Sequence, residues 1–390
     1  MSAFALTEEQ RTYARQVREL AAEHLVPLAE RGEEGHVNRP LLAAMGEHGL
    51  LGRLFGSGDQ ATSGEQARAN AMELCLLRET LASVSTEAET ALALQALGSY
   101  PFVLFGDERI RQKYQLGVAK GDIVAAFALS EAEAGSDAAA LELKAETDGD
   151  GWRLTGEKTW ISNAPEADVY TVFARTTPGT RAKGITAFVV DGNAGGLTGE
   201  HLDMLAPHAI GRLAFDGVRA TQILGEVDQG FKIAMRTLDV LRPSVGAFAV
   251  GMAQAALDAA IAHTTARQAF GGRLSDQQAV SHLLAEMATR VQASRLLVYA
   301  AAAAYDAGAP PAQLTRDAAM AKLFATESAQ FVVDAAVQLH GARALQRGHL
   351  LERLYRDVRA PRIYEGASEV QRTIIGRSLV QEQLVQEQGD

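Results

Sequence analysis

At 390 residues with 47% hydrophobic content, the chain is long enough to bury a large core, falls outside the disordered class and divides by length into two or three domains. The net charge of −11, with Lys and Arg scattered along the chain, argues against a nucleic-acid surface. The single Cys75 excludes an internal disulfide framework. The first residues lack a basic n-region and an apolar h-region, and the Ala-rich stretch from Pro243 meets Asp258 before it could span a bilayer. A cytoplasmic protein with no membrane or nucleic-acid partner is expected.

Thr7, followed by Glu8, Glu9 and Gln10, is a good N-cap, and Val17, Leu20, Ala21 and Leu25 recur at helical spacing, so a helix is predicted over 7–30. Pro40 opens a second helix with Leu41, Leu42, Met45 and Leu50, weakened at its end by Gly46 and Gly49. Gly52 to Gly64 reads as a Gly/Ser-rich loop and Glu65 to Ser83 as a third helix, with Cys75 in its apolar run. Glu89 to Leu97 is apolar and small, and Phe105 to Tyr114 leads into a short polar helix that stops before Gly121.

From Ile123 the periodicity changes. Ile123–Leu129, Trp152–Thr155, Val169–Ala174 and Gly184–Val190 are short runs rich in β-branched and aromatic residues, separated by turns such as Asp148-Gly149-Asp150-Gly151. Strands fenced by helices on both sides predict a β-domain between helical domains, not a βαβ fold. No Gly-x-Gly-x-x-Gly follows a strand, so a Rossmann nucleotide site is not indicated. The segment Phe127 to Asp137 is a strand running into a Gly-Ser-Asp turn, whose N–H groups and hydroxyls can meet carbonyl or phosphate oxygens; alone it reads as an ordinary turn. Thr159-Trp160-Ile161-Ser162-Asn163, alone, reads as core.

The C-terminal third is helical again. A long helix follows Gly230 and carries Asp239 and Arg242, with Pro243 expected to kink it; Arg242 then serves either a bend or a ligand. Arg267 to Gly271 breaks the helices. Ser275-Asp276-Gln277-Gln278 looks like a capping box for a helix whose stripe is Val280, Leu283, Leu284, Met287 and Val291. His340 reads as a C-cap, and no His pair shows metal-ligand spacing in the sequence. Near the end, Ile363-Tyr364-Glu365-Gly366-Ala367-Ser368-Glu369 puts one carboxylate directly before a glycine, between a helix ending near Pro361 and another starting near Ser368. By itself this is a solvated turn or a capping carboxylate.

Together, however, Tyr364-Glu365-Gly366, Leu129-Ser130-Glu131…Gly135-Ser136-Asp137, Trp160-Ile161-Ser162, Arg267-x-x-Phe270-Gly271 and Gln338-Leu339-His340-Gly341 resemble, in the right order, the motifs of the FAD-dependent acyl-CoA dehydrogenase family. The resemblance runs from Thr7 to about Val380. It implies an α+β fold with an N-terminal helical domain (1–121), a central β-domain (122–225) and a C-terminal four-helix domain (226–390). It also implies one non-covalent FAD per subunit of a homotetramer, each flavin shared across a dimer interface.

By the same resemblance Glu365 removes the α-proton of an acyl-CoA thioester, and flavin N5 accepts the hydride. Phe127, Leu129, Ser130, Gly135, Ser136, Trp160, Ile161 and Ser162 contact FAD; Arg267, Phe270, Gln278, Gln338, Leu339 and Gly341 contact the FAD of a neighbouring subunit; Ser368 and Glu369 complete the set. Ser136, Asp239, Arg242 and Gly366 meet the substrate, helix 89–97 lines the acyl pocket, and an electron-transfer flavoprotein takes the electrons. No metal is implied.

The sequence departs from the family pattern at four places. Ala132-Glu133 replaces Pro-Gly, Ala342 replaces a second Gly, the 52–64 loop lacks a Pro-Glu-Glu-Tyr-Gly-Gly-like turn, and Met204–Asp216 matches only loosely. These leave open a carrier-protein thioester or oxygen as acceptor, or a flavin protein without turnover.

Overall fold

The computed structural model describes residues 6–55 and 70–389. By the contacts within it the chain separates into two compact units: Met1–Ala22 with Ala71–Glu89 and Asp239–Asp390, and Glu23–Asn70 with Thr90–Leu238.

The second unit is built on a mixed sheet. Its strands are β1 (Ala125–Ala128), β2 (Lys144–Asp148), β3 (Gly151–Ser162), β4 (Val169–Arg175), β5 (Ile185–Asp191), β6 (Leu197–His201), β7 (Ile210–Ala220) and β8 (Gln222–Leu224). Their order is β6-β7-β3-β2-β4-β5-β8, with β1 alongside β4 in parallel. The Asp148–Gly151 separator is the β2–β3 hairpin turn, as its Asp-Gly content predicts. β4 and β5 are buried on both faces for six residues each, which is why they read as continuous apolar runs without alternation.

In the same unit the helix Arg39–Glu47 is capped by the Asn38 side chain, with Pro40 in its first turn. Gly46 does more than weaken this helix: a Cβ there would sit 2.0 Å from the Lys120 carbonyl, so glycine lets the backbone approach the helix Leu116–Lys120. Gly121 ends that helix in the left-handed conformation.

The first unit is helical. Thr7 caps Glu8–Leu20 through a reciprocal pair with Gln10, at 3.1 and 2.9 Å; the helix passes into a π-turn at Ala21–Leu25, which belongs in part to the other unit. The predicted third helix is Ala71–Ala82; Glu65 and most of the 52–64 loop lie outside the described residues, Gly52–Phe55 forming a 3-10 turn. Cys75 is buried, which pushes its thiol pKa up. The long helices Gly230–Ala266, Gln278–Asp306, Pro311–His340 and Ser368–Gly389 are joined by the shorter Leu350–Asp357. Phe248, Met252, Leu257, Met287, Val291, Val298, Val332 and Leu351 form part of one core. Among the described residues Gly230–Ala266 is the one helix long and apolar enough to cross a membrane, and 67% of its most apolar stretch is buried inside the protein.

The helix Gly230–Ala266 carries Pro243 within it. Two local expectations are corrected. The Ser275 capping box does not form: Leu274–Asp276 is a 3-10 turn, the Asp276 carboxylate accepts the Arg273 N–H at 2.9 Å, and Gln277 caps the following helix without a side-chain bond. The C-cap of Pro311–His340 is Gly341, at φ 63°, because a left-handed cap costs glycine least; His340 instead bonds back to the Ala336 carbonyl at 2.8 Å.

Candidate active site

Glu365 is set in an unusual backbone position. It has φ 51°, followed by Gly366 at φ 94°, between the 3-10 turn Ala360–Arg362 and the helix from Ser368. A left-handed, non-glycine residue is held at a cost of about 1–3 kcal/mol and persists only where its surroundings enforce it. Those surroundings are visible. Lys322, fully buried, donates to the carbonyls of Tyr364 at 2.9 Å and Gly366 at 2.5 Å. Gln371 also bonds the Gly366 carbonyl at 2.9 Å, and Arg242 reaches the Glu365 carbonyl at 3.3 Å.

The Glu365 carboxylate itself is not spent on this scaffold. Its Oε2 is buried and has no hydrogen-bond partner among the described residues. Burial drives its pKa above the ordinary Glu value, while the charges of Arg78, Lys322 and Arg242 oppose that rise. Burial in turn pulls Lys322 down to about 8, with Glu365 acting against it.

Arg78 belongs to a buried cluster of its own. Its Nε pairs with Glu89, which is 0% exposed, and its Nη1 donates to Ser244 Oγ at 2.7 Å. Arg242 pairs with Asp239 at 2.9 Å, and the other Asp239 oxygen accepts the Thr315 hydroxyl at 3.1 Å. The two expected substrate residues thus form one network ending on the Glu365 backbone. Ser368 is buried, its hydroxyl committed to Glu327 at 2.6 Å, while Glu369 is exposed beside Arg372.

Sequence reasoning missed Arg78, Glu89, Lys322 and Gln371. A lone Lys in Ala-Met-Ala-Lys322-Leu-Phe-Ala and a lone Arg in Leu-Cys-Leu-Leu-Arg78 were the available signals, since a charge in an apolar helical run must be paired once buried.

Residues expected on the β-domain cluster within the second unit. The β3–β7 pairing slips between Lys158 and Ile161, and Trp160 sits in that bulge at φ 56°, its indole 47% exposed. A bulge re-aims a side chain that regular alternation would bury. Ile161 points into the core, and Ser162 Oγ lies 3.3 Å from His208 Nε2, a contact from the loosely matching 204–215 stretch. Burial holds the His208 pKa below its usual value.

Phe127 and Leu129 are buried, Ser130 is half-buried, and Gly135 and Ser136 are exposed. Beneath them lies a brace that sequence reasoning also missed. Lys158, fully buried, donates to the Leu129 carbonyl at 2.9 Å and to Glu131 at 2.8 Å, and Glu131 accepts the N–H groups of Glu142 and Leu143.

Burial lowers the Lys158 pKa to about 8 from its ordinary 10.5. Between those values the unfolded chain holds a proton that the folded one has released. The lysine therefore makes stability rise with pH, by up to about 1.4 kcal/mol per unit. Comparing chemical denaturation of the native protein and Lys158→Met at pH 7 and 9.5 should show the difference shifting in favour of the native protein at the higher pH. A pH-independent difference would place the titration elsewhere.

On the helical unit, Arg267, Gln278, Gln338 and Gly341 are exposed, Leu339 is half-buried, and Phe270, at φ 53° in the tight hairpin Gln268–Ala269/Gly272–Arg273, is 89% exposed. Among the described residues, three of the six left-handed non-glycine positions are Trp160, Phe270 and Glu365.

Family models for the acyl-CoA dehydrogenase N-terminal domain match residues 7–122, for the middle domain 126–218 and for the C-terminal domain 228–380. The chain belongs to the acyl-CoA dehydrogenase family, whose members are FAD-dependent oxidoreductases acting on acyl-CoA.

It is 37% identical to the probable acyl-CoA dehydrogenase FadE25 of Mycobacterium tuberculosis, over 97% of each chain. It superposes with a TM-score of 0.88 on butyryl-CoA dehydrogenase from Megasphaera elsdenii, at 32% identity over 97% of this chain and 99% of that one. A chain from a structure described as the electron transferring flavoprotein of Acidaminococcus fermentans matches with a TM-score of 0.89 and 34% identity, over 96% and 99%.

Proposed function

We propose that the protein desaturates an acyl-CoA thioester between Cα and Cβ, with Glu365 as the base. The observation that carries this is the half-buried Glu365, whose Oε2 is buried and unpartnered among the described residues, on a strained backbone held by Lys322 and Arg242. A carboxylate kept ionisable in an apolar setting, with a pKa above its ordinary value, suits proton abstraction near neutral pH. Arg78, Lys322 and Arg242 offset part of that rise and keep the ionised form accessible.

FAD, when bound, supplies the acceptor for the hydride leaving Cβ. Glu365 takes the α-proton, and its backbone N–H is the donor to the thioester oxygen, on which negative charge develops; one such donor contributes roughly 3–4 kcal/mol. Lys322, by fixing the carbonyls on either side, holds that N–H in place. Trp160, at its bulge, and Ser162 would hold the flavin ring, and the 130–136 turn would offer hydroxyl and N–H groups to it. The exposed Trp160 and the turn above the Lys158 brace fit such a planar, oxygen-rich group.

The exposed Arg267, Phe270, Gln278 and Gln338 suit contact with a second subunit's cofactor, in the homotetramer that the family resemblance implies. The likeness to the Acidaminococcus fermentans chain supports an electron-transferring flavoprotein as the partner. Anaerobic bleaching of the bound flavin by a panel of acyl-CoAs tests the reading: reduction by at least one is expected, and none by any, or only by carrier-protein thioesters, overturns it.

Arg267→Ala is expected to lower both flavin content and assembly size, because a guanidinium facing a pyrophosphate makes charge-assisted bonds. Gel filtration with the absorbance ratio at the flavin and protein bands measures both. Unchanged values would make Arg267 an ordinary surface residue.

A further inference from the structure

The second unit brings two histidines and a glutamate from distant parts of the sequence together at its surface. His36 Nδ1 lies 3.0 Å from Glu166 Oε1, and His201 Nε2 lies 3.6 Å from the same oxygen. One ligand atom from each residue falls within 4.8 Å of the others, and the two rings have centroids 4.2 Å apart. Metal–ligand bonds of about 2.0–2.1 Å at tetrahedral angles separate neighbouring ligand atoms by roughly 3.3–3.4 Å. The two histidine–glutamate spacings bracket that value.

We propose that His36 Nδ1, His201 Nε2 and Glu166 Oε1 bind a divalent transition-metal ion of the zinc class, clipping the 33–38 segment to β6 and to the turn after β3. The donor set of two imidazoles and one carboxylate is that of zinc and its neighbours and not of magnesium or calcium, which take oxygen ligands.

The Glu166 ligand is also held in place by its surroundings. With Nδ1 turned to the metal, His36 keeps its other ring nitrogen 3.7 Å from the exposed Glu33 carboxylate, too long for a hydrogen bond. Glu166 Oε1 is itself aimed by the Val37 N–H at 3.2 Å, and its turn is pinned by Arg39, which bonds the Glu166 carbonyl at 2.9 Å. The Arg39 guanidinium, the nearest opposing charge, is engaged by Asp168 at 2.9 and 3.1 Å. Each ligand side chain is partly exposed, at 38%, 29% and 35% for His36, Glu166 and His201, so an ion enters from solvent and a water completes the set.

The test uses the purified full-length enzyme with Zn²⁺ measured by equilibrium dialysis and Co²⁺ followed by its visible absorption. One ion per chain is expected at this site, with the intense bands of a four-coordinate Co²⁺. His36→Ala and His201→Ala should each remove that ion and those bands. Glu166→Gln keeps the shape of the turn while weakening the oxygen ligand, so loss of binding there is independent of folding defects in the histidine variants. The proposal is overturned if the native protein takes up no Co²⁺, if uptake is unchanged in His36→Ala with His201→Ala, or if Mg²⁺ displaces the ion at equal concentration.

Discussion

Glu365→Gln is expected to leave the fold and the flavin spectrum intact while lowering the rate of flavin reduction by acyl-CoA by about 10²–10⁴-fold, the usual contribution of a positioned general base. The substitution preserves size and shape. The backbone bonds from Lys322, Arg242 and Gln371 all go to carbonyls and do not involve the side chain. The Glu365 pKa is raised by burial, so the native rate should fall as pH drops through a value above the ordinary Glu range, and the variant should lose that limb. Stopped-flow reduction across pH reads both effects. A near-native rate would remove Glu365 from the chemistry, and loss of FAD would make it structural; in the first case Asp239→Asn is the next variant to measure.

Arg78→Met is expected to destabilise the protein by about 3–5 kcal/mol, the usual effect of removing one member of a buried ion pair. Both side chains of the Arg78–Glu89 pair are almost fully buried, at 3% and 1% exposed, and the variant would also strand the Ser244 hydroxyl contact. Replacing both, in Arg78→Met with Glu89→Leu, should recover most of the loss, since it is the remaining charge and not the missing bond that costs most. Because Arg78 is also the first of the charges opposing the rise in the Glu365 pKa, the acid limb of the rate profile should move to higher pH in both variants. Thermal midpoints with and without FAD, together with the pH profile, check this. A single variant as stable as the native protein, or an unmoved limb, would mean that the pair is neither a structural keystone nor electrically coupled to Glu365.

The elements legible in the sequence are those whose cause is local. Thr7 caps a helix because its partner Gln10 is three residues away. The Asp148–Gly151 turn makes a hairpin because Asp and Gly accept its backbone angles. The candidate catalytic loop was legible only through the family resemblance, because Tyr364-Glu365-Gly366 by itself reads as a solvated turn. Ser275 shows the limit of such local reasoning. The residue types of a capping box were present, but Asp276 capped Arg273 instead, because the chain tightened into a 3-10 turn first.

What the sequence by itself determined was the order of helical and β segments, the family and, through that resemblance, the candidate residues Glu365, Trp160 and Arg267. What only the tertiary structure decided was which charges are buried beside them. Lys322 and Arg78 look like any other basic residues on helices until folding takes each out of water; there a charge must find partners or shift its pKa, and the partners it finds fix the strained loop and tune the carboxylate. The same holds for His36 and Glu166, which lie 130 residues apart in sequence and 3.0 Å apart in space. Spacing along a chain reports only ligands within one element, whereas electrostatics and coordination depend on distance through the fold.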